Sequence, residues 1–282
     1  MWWLGVLLSG IVETMTNIAV LGGGQIGEAL VSGLVASDYD PKSITVTNRS
    51  AEKSSYFEEH YGVHTTSDNA AAIKDADYAF LCVKPYHIID LLEDVSETLQ
   101  SREGKTVAVS MAAGLTLEAM EKAAGSGVPV VRVMPNTPML VGKGINAAAP
   151  GSSVSDEQMS GVSELLEAVG EVVIVEEGDM DAVTAMSGSS PAYYFLVTEA
   201  LIDAGVQMGL KRDVAEKLAT NAAHGAGKML TDSGRDPATL RQNVSSPGGT
   251  TVHALRELEE SGLRGMFFRA AEACANRSKE LG

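Results

Sequence analysis

Short apolar runs alternate with longer amphipathic segments through the N-terminal part of this chain. Five of the runs have the length and composition of buried strands: residues 17–21, 44–47, 78–83, 106–110 and 129–134. Residues 25–37 and 86–99 lie between such runs and place apolar side chains at helical spacing. Strands that alternate with helices form βαβ units, so the pattern predicts an α/β fold with a Rossmann-type, doubly wound parallel sheet. Residues 144–151 and 171–175, with a helix between them, are expected to extend this sheet at one edge.

After Asp179 the alternation stops and only helical periodicity remains. Four helices are expected there, at residues 190–210, 211–234, 236–244 and 263–281. The helix that begins at Pro191 is apolar around nearly its whole circumference, so it should be buried on every side. A helical domain of roughly a hundred residues rarely buries such a helix alone, which indicates a partner subunit. We therefore expect an α/β domain at residues 15–178 and an all-helical domain at residues 179–282.

The first fourteen residues are apolar and precede Met15. They are too few to span a bilayer, and they lack the basic region and the small-residue cleavage site of a signal peptide. Residues 1–14 are interpreted as an upstream start or an artefact that takes no part in the fold.

The charge and the cysteine content narrow the class of function. Thirty-seven acidic and 21 basic residues give a formal net charge of −16, which argues against nucleic-acid and anionic membrane partners. Cys82 and Cys274 are isolated from each other in sequence, so a reducing, cytoplasmic compartment is expected. The five histidines show neither HxH nor HExxH spacing, so no metal site is expected. These features are typical of a cytoplasmic enzyme that acts on a small molecule.

A glycine-rich segment follows the first strand and opens the first helix. Gly22, Gly24 and Gly27 have the spacing GxGxxG in that context. The first glycine permits a tight turn, the second lets the backbone approach a pyrophosphate, and the third allows close packing of helix on strand. The helix N-terminus supplies free N–H groups and a partial positive charge for the anion. Such spacing also occurs in simple βα turns, but within a βαβ unit it favours dinucleotide binding.

The end of the second strand indicates which dinucleotide is bound. An acidic residue at that position would bind the ribose 2′-hydroxyl of NAD, and Asn48 stands there instead. Arg49 and Ser50 follow and can pair with a 2′-phosphate, so NADP is favoured over NAD. Arg49 can alternatively be an ordinary solvated arginine. Ligands of doubly wound sheets bind at the carboxyl ends of strands, where three more loops are expected: residues 83–85, 110–114 and 134–138.

A second glycine-rich segment, VSSPGGTTVHAL at residues 244–255, lies among the C-terminal helices. It reads as the start of a helix whose first backbone N–H groups are bare, and bare N–H groups bind anions. A small carboxylate substrate would sit on the amides of Gly249, Thr250 and Thr251. The hydroxyls of Ser246 and Thr251 would serve as further hydrogen-bonding partners. Alternatively, Thr250 only caps the helix.

Five segments together resemble a known family: LGGGQIG, VKP, VRVMPNTP, SGSSPAY and SSPGGTTVHAL. From about Asn17 to Leu281 the chain is similar to pyrroline-5-carboxylate reductase, which reduces 1-pyrroline-5-carboxylate to L-proline in the last step of proline biosynthesis. The resemblance implies a Rossmann domain that binds NAD(P), with NADPH preferred and NADH as an alternative. It also implies a helical domain that binds substrate and forms a homodimer, often within a larger ring of dimers.

The resemblance implies roles for individual residues. The pyrophosphate would be held by Leu21, Gly22, Gly23, Gly24, Gln25, Ile26 and Gly27. The adenosine half would face Asn48, Arg49 and Asn69. The nicotinamide half would be lined by Cys82, Val83, Lys84, Pro85, Met111, Ala112 and Ala113. The substrate would be bound by Asn243, Gly249, Thr250 and Thr251, with Thr251 at the ring nitrogen and Ser246 beside the carboxylate as the catalytic residues.

Ser190 stands where the family usually has glycine, which matters if that position requires a positive φ. The substrate of the family is a cyclic imine whose protonated form already accepts hydride, so no strong acid or base is needed. Three alternatives remain: a related NADP-dependent imine reductase, a β-hydroxyacid dehydrogenase, and a non-catalytic cofactor-sensing module. The hydroxyacid dehydrogenase would need a lysine on the first long helix of the second domain, and residues 193–205 contain none.

Overall fold

The computed structural model describes residues 16–281. The expectation for residues 1–14 therefore lies outside the described residues. The chain divides into two compact units, one that ends at Glu177 and one that begins at Gly178.

The N-terminal unit is an eight-stranded sheet with helices between its strands. The strands are β1 (Ile18–Leu21), β2 (Ile44–Thr47), β3 (His64–Thr66), β4 (Tyr78–Leu81), β5 (Val107–Ser110), β6 (Val130–Met134), β7 (Gly144–Pro150) and β8 (Gly170–Ile174). The helices are α1 (Gln25–Ala36), α2 (Ala51–Tyr61), α3 (Asn69–Ile73), α4 (Ile88–Ser101), α5 (Leu117–Ala124) and α6 (Asp156–Glu167).

The strands lie in the order β3-β2-β1-β4-β5-β6-β7-β8. All neighbouring pairs are parallel except β6 and β7, which are antiparallel. The order reverses between β1 and β4, which is the switch point where a doubly wound sheet opens a crevice at the carboxyl ends of its strands. The expected Rossmann-type sheet is confirmed. The antiparallel orientation of β7 and the three-residue strand β3 are additions that the apolar pattern does not predict.

The central strands form the core of this unit. All four residues of β1 and all four of β5 are buried, as expected for strands covered by helices on both faces. Leu30 and Leu34 of α1 are fully buried in the same hydrophobic cluster. The helices begin at polar caps: the side chains of Ser50, Asp68 and Thr116 accept from backbone N–H groups in the first turns of α2, α3 and α5.

The last residue of the N-terminal unit is fixed to the sheet by a buried arginine. Arg132 on β6 is 7% exposed and its Nη1 lies 3.2 Å from Glu177 Oε1. The same carboxylate oxygen accepts from the backbone N–H of Leu117, the first residue of α5. The carboxylate thus compensates both the arginine charge and one free N–H of a helix start.

The C-terminal unit is helical. It contains α7 (Met180–Val183), a π-helix at Thr184–Gly188, α8 (Ser190–Gln207), α9 (Arg212–Asp232), α10 (Pro237–Asn243), α11 (Thr250–Glu260) and α12 (Leu263–Leu281). The four expected helices are present as α8, α9, α10 and α12. As the Asp-Pro pair predicts, Asp236 caps α10, its Oδ1 accepting from the N–H groups of Ala238 and Thr239 at 3.0 Å each. No helix in the described part of the chain is long and apolar enough to cross a membrane.

Helix α8 is not buried within one chain. Only Pro191 and Gly205 of this helix are buried, whereas Tyr194, Phe195 and Leu196 are each about two thirds exposed. The chain alone therefore does not bury this helix, which agrees with the expectation that a partner subunit is needed to cover it. The physical reason is that the other helices of the unit are too few to surround an apolar helix, so its apolar surface remains uncovered.

Ser190 begins α8 without backbone strain. The non-glycine residues with positive φ among those described are Asp38 and Glu103, so position 190 does not adopt the left-handed conformation. The concern that this position requires a positive φ is therefore removed, and serine fits here.

Candidate functional site

The glycine-rich loop is held between the ends of β2 and β4. The N–H of Gly22 donates to Thr47 Oγ1 and the N–H of Gly23 donates to the carbonyl of Thr47, both at 3.2 Å. On the other side, the N–H of Cys82 donates to the carbonyl of Leu21 at 2.9 Å. These bonds place the loop at the switch point of the sheet.

The glycines of the loop serve different purposes. Gly22 has φ +107°, and a Cβ there would lie 3.0 Å from Val83 Cγ1. A Cβ on Gly27 would lie 2.2 Å from the carbonyl oxygen of Gly22, so α1 could not pack as closely on the strand. By contrast, a Cβ on Gly24 would have only the carbonyl oxygen of Cys82 within 4.0 Å. Gly24, the N-cap of α1, therefore faces open space, as the backbone that approaches a pyrophosphate must.

Asn48 follows β2 and is 9% exposed. Its backbone N–H donates to the carbonyl of Thr66 at the end of β3. Its side-chain Nδ2 is buried and has no hydrogen-bond partner in the described structure. A buried donor without a partner costs free energy, so this atom fits a ligand that supplies an oxygen acceptor, such as a ribose or a phosphate.

The other residues expected at the adenosine end lie close to Asn48 in the chain or the sheet. Arg49 is exposed and immediately precedes Ser50, the N-cap of α2. Asn69 is half-buried and is the first residue of α3, which follows β3. Because β2 and β3 are adjacent and parallel, their carboxyl ends share one edge of the sheet. Strand β3 thus explains the position of Asn69.

The residues expected at the nicotinamide half follow β4 and β5, which are also adjacent and parallel. The N–H of Met111 donates to the carbonyl of Leu81 at 3.2 Å, which ties the two loops together. Cys82, Met111 and Ala112 are buried, Val83 and Ala113 are half-buried, and Lys84 and Pro85 are exposed. Burial raises the pKa of the Cys82 thiol to about 12, so this thiol is neutral and does not act as a nucleophile.

Two residues of this edge were not anticipated from the sequence. Thr47 anchors the glycine loop through its side chain and its carbonyl. Lys53 on α2 donates from Nζ to the carbonyl of Gly23 at 3.4 Å. A threonine at the end of a strand and a lysine on an exposed helix face are common, so neither position carried a signal in the sequence.

In the C-terminal unit, Ser246, Gly249, Thr250 and Thr251 lie together in the turn that leads into α11 and in its first two residues. The N–H of Gly249 donates to the carbonyl of Ser246 at 2.9 Å, and Gly248 has φ +70°. Gly249 is the N-cap of α11, and no side chain caps this helix. Thr250 is the first helical residue, so the alternative in which it caps the helix does not describe this geometry. The N–H of Gly249 is already bonded, so the expectation that it binds a carboxylate does not fit this geometry. The N–H groups of Thr250 and Thr251 lie at the uncapped helix start with three hydroxyls, which suits a carboxylate.

Asn243 is less closely associated with this turn. It is the exposed last residue of α10, three positions before Ser246. Across residues 16–281, no hydrogen bond joins its side chain to the turn. The same residues contain no group of three or more His, Cys, Asp and Glu side chains that could hold a metal ion.

Comparison with known proteins identifies relatives of both units. The family described as Pyrroline-5-carboxylate reductase dimerisation matches residues 177–281, and the family described as NADP oxidoreductase coenzyme F420-dependent matches residues 17–114. A pyrroline-5-carboxylate reductase of Corynebacterium melassecola is 57% identical over 268 residues, which cover 95% of this chain and 99% of that protein.

Solved structures give the same result. A pyrroline-5-carboxylate reductase from Coxiella burnetii has a TM-score of 0.92 and 40% identity, covering 95% of this chain and 99% of that chain. A pyrroline carboxylate reductase from Plasmodium falciparum, solved with NADP bound, has a TM-score of 0.82 and 29% identity, covering 95% and 98%. The chain therefore belongs to the pyrroline-5-carboxylate reductase family, as its sequence motifs predict.

Proposed function

We propose that this protein reduces 1-pyrroline-5-carboxylate to L-proline by hydride transfer from NAD(P)H. The observation that carries the proposal is the similarity to pyrroline-5-carboxylate reductases over 95% of the chain, in both units. The two free cysteines support a reducing compartment, and we place the enzyme in the cytoplasm.

The cofactor would bind at the edge of the sheet that contains the glycine loop. Leu21 to Gly27 would hold the pyrophosphate, since Gly24 leaves its backbone open and α1 begins there. The unpartnered amide of Asn48 and the exposed cation of Arg49 support NADPH over NADH. Asn69 would face the adenosine, and the loops at residues 82–85 and 111–113 would line the nicotinamide half. When bound, the cofactor supplies the hydride.

The substrate would bind at the turn before α11. Its carboxylate would lie on the N–H groups of Thr250 and Thr251 at the start of α11, beside the Ser246 hydroxyl, with Asn243 near the pocket. Gly249 would contribute by leaving space for that hydroxyl, since its own N–H is bonded to the carbonyl of Ser246. Thr251 would hydrogen-bond the ring nitrogen. A protonated imine needs no further activation, so the contribution of these residues is to bind and orient the ring.

The functional unit would be a homodimer formed through the helical unit. The uncovered apolar side chains of α8 support this, because a surface of that kind on a soluble enzyme indicates an interface. On the resemblance alone, we extend the proposal to a ring of such dimers.

The reaction is tested directly by following NADPH oxidation with 1-pyrroline-5-carboxylate as the acceptor. We expect turnover with this imine and production of L-proline. Small β-hydroxyacids, tested with NADP in the oxidative direction, should give no turnover. Reduction of other cyclic imines in preference to this one would favour the imine reductase. Cofactor binding without turnover of any of these compounds would favour the sensing module.

A further inference from the structure

We propose that Lys53 is a second cation of the 2′-phosphate site and that it contributes to the choice of NADPH over NADH. This inference rests on the proposed function only in taking the glycine loop and the end of β2 as the cofactor site. Arg49 is the cation that the sequence indicates there, and Lys53 adds one that the fold brings to the same place.

The first observation is the position of the ammonium group. Lys53 lies in the first turn of α2, where its backbone N–H is capped by Ser50 Oγ at 3.5 Å. Its side chain extends back over the loop, so that Nζ lies 3.4 Å from the carbonyl oxygen of Gly23, thirty positions earlier in the chain. The ammonium group of this exposed lysine thus lies beside the glycine loop that would hold the pyrophosphate.

The second observation is the unpartnered amide of Asn48, which adjoins the same glycine. A Cβ on Gly23 would lie 2.3 Å from Asn48 Oδ1, so the Asn48 side chain packs directly against the glycine that Lys53 contacts. Asn48 is more than nine-tenths buried and its Nδ2 has no partner among residues 16–281. A buried donor and an ammonium group therefore lie at one residue of the loop, and a phosphate oxygen could accept from both.

The third observation concerns the charges around Lys53. The acidic residue of α1 is Glu28, and its Oε1 already accepts from the hydroxyls of Tyr56 at 2.8 Å and Tyr61 at 3.1 Å. Within the described chain Lys53 forms no ion pair, whereas Lys228 on α9 pairs with Asp232. Among the described residues, the ammonium group of Lys53 therefore has a neutral carbonyl as its hydrogen-bond partner, in a protein with a net charge of −16.

A carbonyl at 3.4 Å is a weak partner for an ammonium group, and a phosphate dianion is a much stronger one. The flexible four-carbon stem of lysine lets Nζ exchange one partner for the other without movement of the helix. The adenosine of NADH has no 2′-phosphate, so it gives the ammonium group no stronger partner than the carbonyl. Lys53 should therefore add to the affinity for NADPH and leave the affinity for NADH almost unchanged.

The test uses two probes that differ only in the 2′-phosphate, adenosine 2′,5′-bisphosphate and AMP, titrated by calorimetry into the full-length protein. The variants are Lys53→Met and Lys53→Arg. The matched control is Lys42→Met, because Lys42 Nζ also contacts a glycine carbonyl, that of Gly62 at 2.8 Å, at the opposite end of α2. Lys53→Met should weaken the bisphosphate about tenfold and AMP less than twofold. Lys53→Arg should retain most of the affinity, and Lys42→Met should change neither probe.

Three results would overturn the inference and separate it from the proposed function. If the wild-type protein prefers the bisphosphate and Lys53→Met keeps that preference, the 2′-phosphate site stands without Lys53. If Lys53→Met weakens both probes equally, Lys53 only positions the loop. If the wild-type protein binds both probes equally, the proposed preference for NADPH fails as well. Neither probe carries a nicotinamide, so the proposed reduction is judged independently by its own turnover assay.

Discussion

Ser246 Oγ lies 2.5 Å from the point where a Cβ on Gly249 would stand. The Ser246 hydroxyl can lie this close because Gly249 has no side chain. The N–H of Gly249 donates to the carbonyl of Ser246. The hydroxyl is thereby held at the bare start of α11, next to the amides that would bind the substrate carboxylate. Residue 249 is therefore glycine for reasons of space, since its φ of −76° suits any residue.

Gly249→Ala should displace the Ser246 hydroxyl and distort the turn. We expect the KM for 1-pyrroline-5-carboxylate to rise about tenfold or more, since one charge-assisted hydrogen bond is worth about 1.5–3 kcal/mol. The Kd for NADPH should stay the same. Gly225→Ala on α9 is the matched control, because a Cβ there meets no atom of the chain within 4 Å. A KM that is the same in both variants would show that the turn does not bind the substrate.

Arg49→Ala should weaken NADPH far more than NADH, because only NADPH carries the phosphate that a guanidinium can bind. The measurement is the Kd of each reduced cofactor by fluorescence titration. Arg49→Lys should retain part of the preference, since it keeps the charge and loses the bidentate geometry. Equal losses with both cofactors would refute the role of Arg49 in cofactor choice.

The apolar surface of α8 leads to a prediction about assembly. Phe195 is 66% exposed in one chain, so an aspartate there should prevent the covering of this helix by a second chain. Light scattering should show a dimer or larger oligomer for the wild-type protein and a monomer or aggregate for Phe195→Asp. Tyr86→Asp changes a similarly exposed aromatic residue of the N-terminal unit and should leave the oligomer intact. A stable wild-type monomer at low micromolar concentration would contradict the proposed homodimer.

The two cysteines should differ in reactivity. Cys82 is buried, and burial raises the pKa of its thiol to about 12, whereas Cys274 is half-buried. At pH 8, iodoacetamide should modify Cys274 first and reach Cys82 only after unfolding in urea, as mapped by mass spectrometry. Equal modification of both thiols in the folded protein would contradict the burial of Cys82.

The same thiol should make stability depend on pH. Between pH 9.0 and about 12 the folded state keeps the Cys82 proton and the unfolded state loses it. The free energy of unfolding contributed by this group should therefore fall as the pH rises above 9.0.

Local patterns in the sequence were enough to predict the sheet and to locate the two glycine-rich segments. The apolar runs predicted seven of the eight strands, because buried parallel strands are continuous apolar segments. Strand β3 was missed since it has three residues and none of them is buried. Its presence next to β2 depends on the pairing of Thr45 with His64, which is a long-range contact that periodicity does not encode.

The site shows the same division between local and long-range information. Gly22, Gly24 and Gly27 were identifiable because their roles follow from spacing and backbone geometry. Lys53 was not, since its approach to Gly23 depends on how α2 crosses the loop. Likewise, the composition of α8 showed that the helix needs to be covered, but the exposure of Tyr194 and Phe195 became apparent only in the folded chain.

The central claim is that the turn before α11 acts on the substrate, and Thr251 tests it most directly. Turnover of 1-pyrroline-5-carboxylate, NADPH affinity and melting temperature should be measured together for Thr251→Ala and Thr251→Ser. We expect Thr251→Ala to lower kcat roughly ten- to a hundredfold, the equivalent of one partly buried hydrogen bond of about 1–3 kcal/mol, with NADPH binding intact. Thr251→Ser keeps the hydroxyl and should recover much of the rate. Unchanged turnover per folded enzyme together with a lower melting temperature for Thr251→Ala would contradict the claim, because the threonine would then only stabilise the helix.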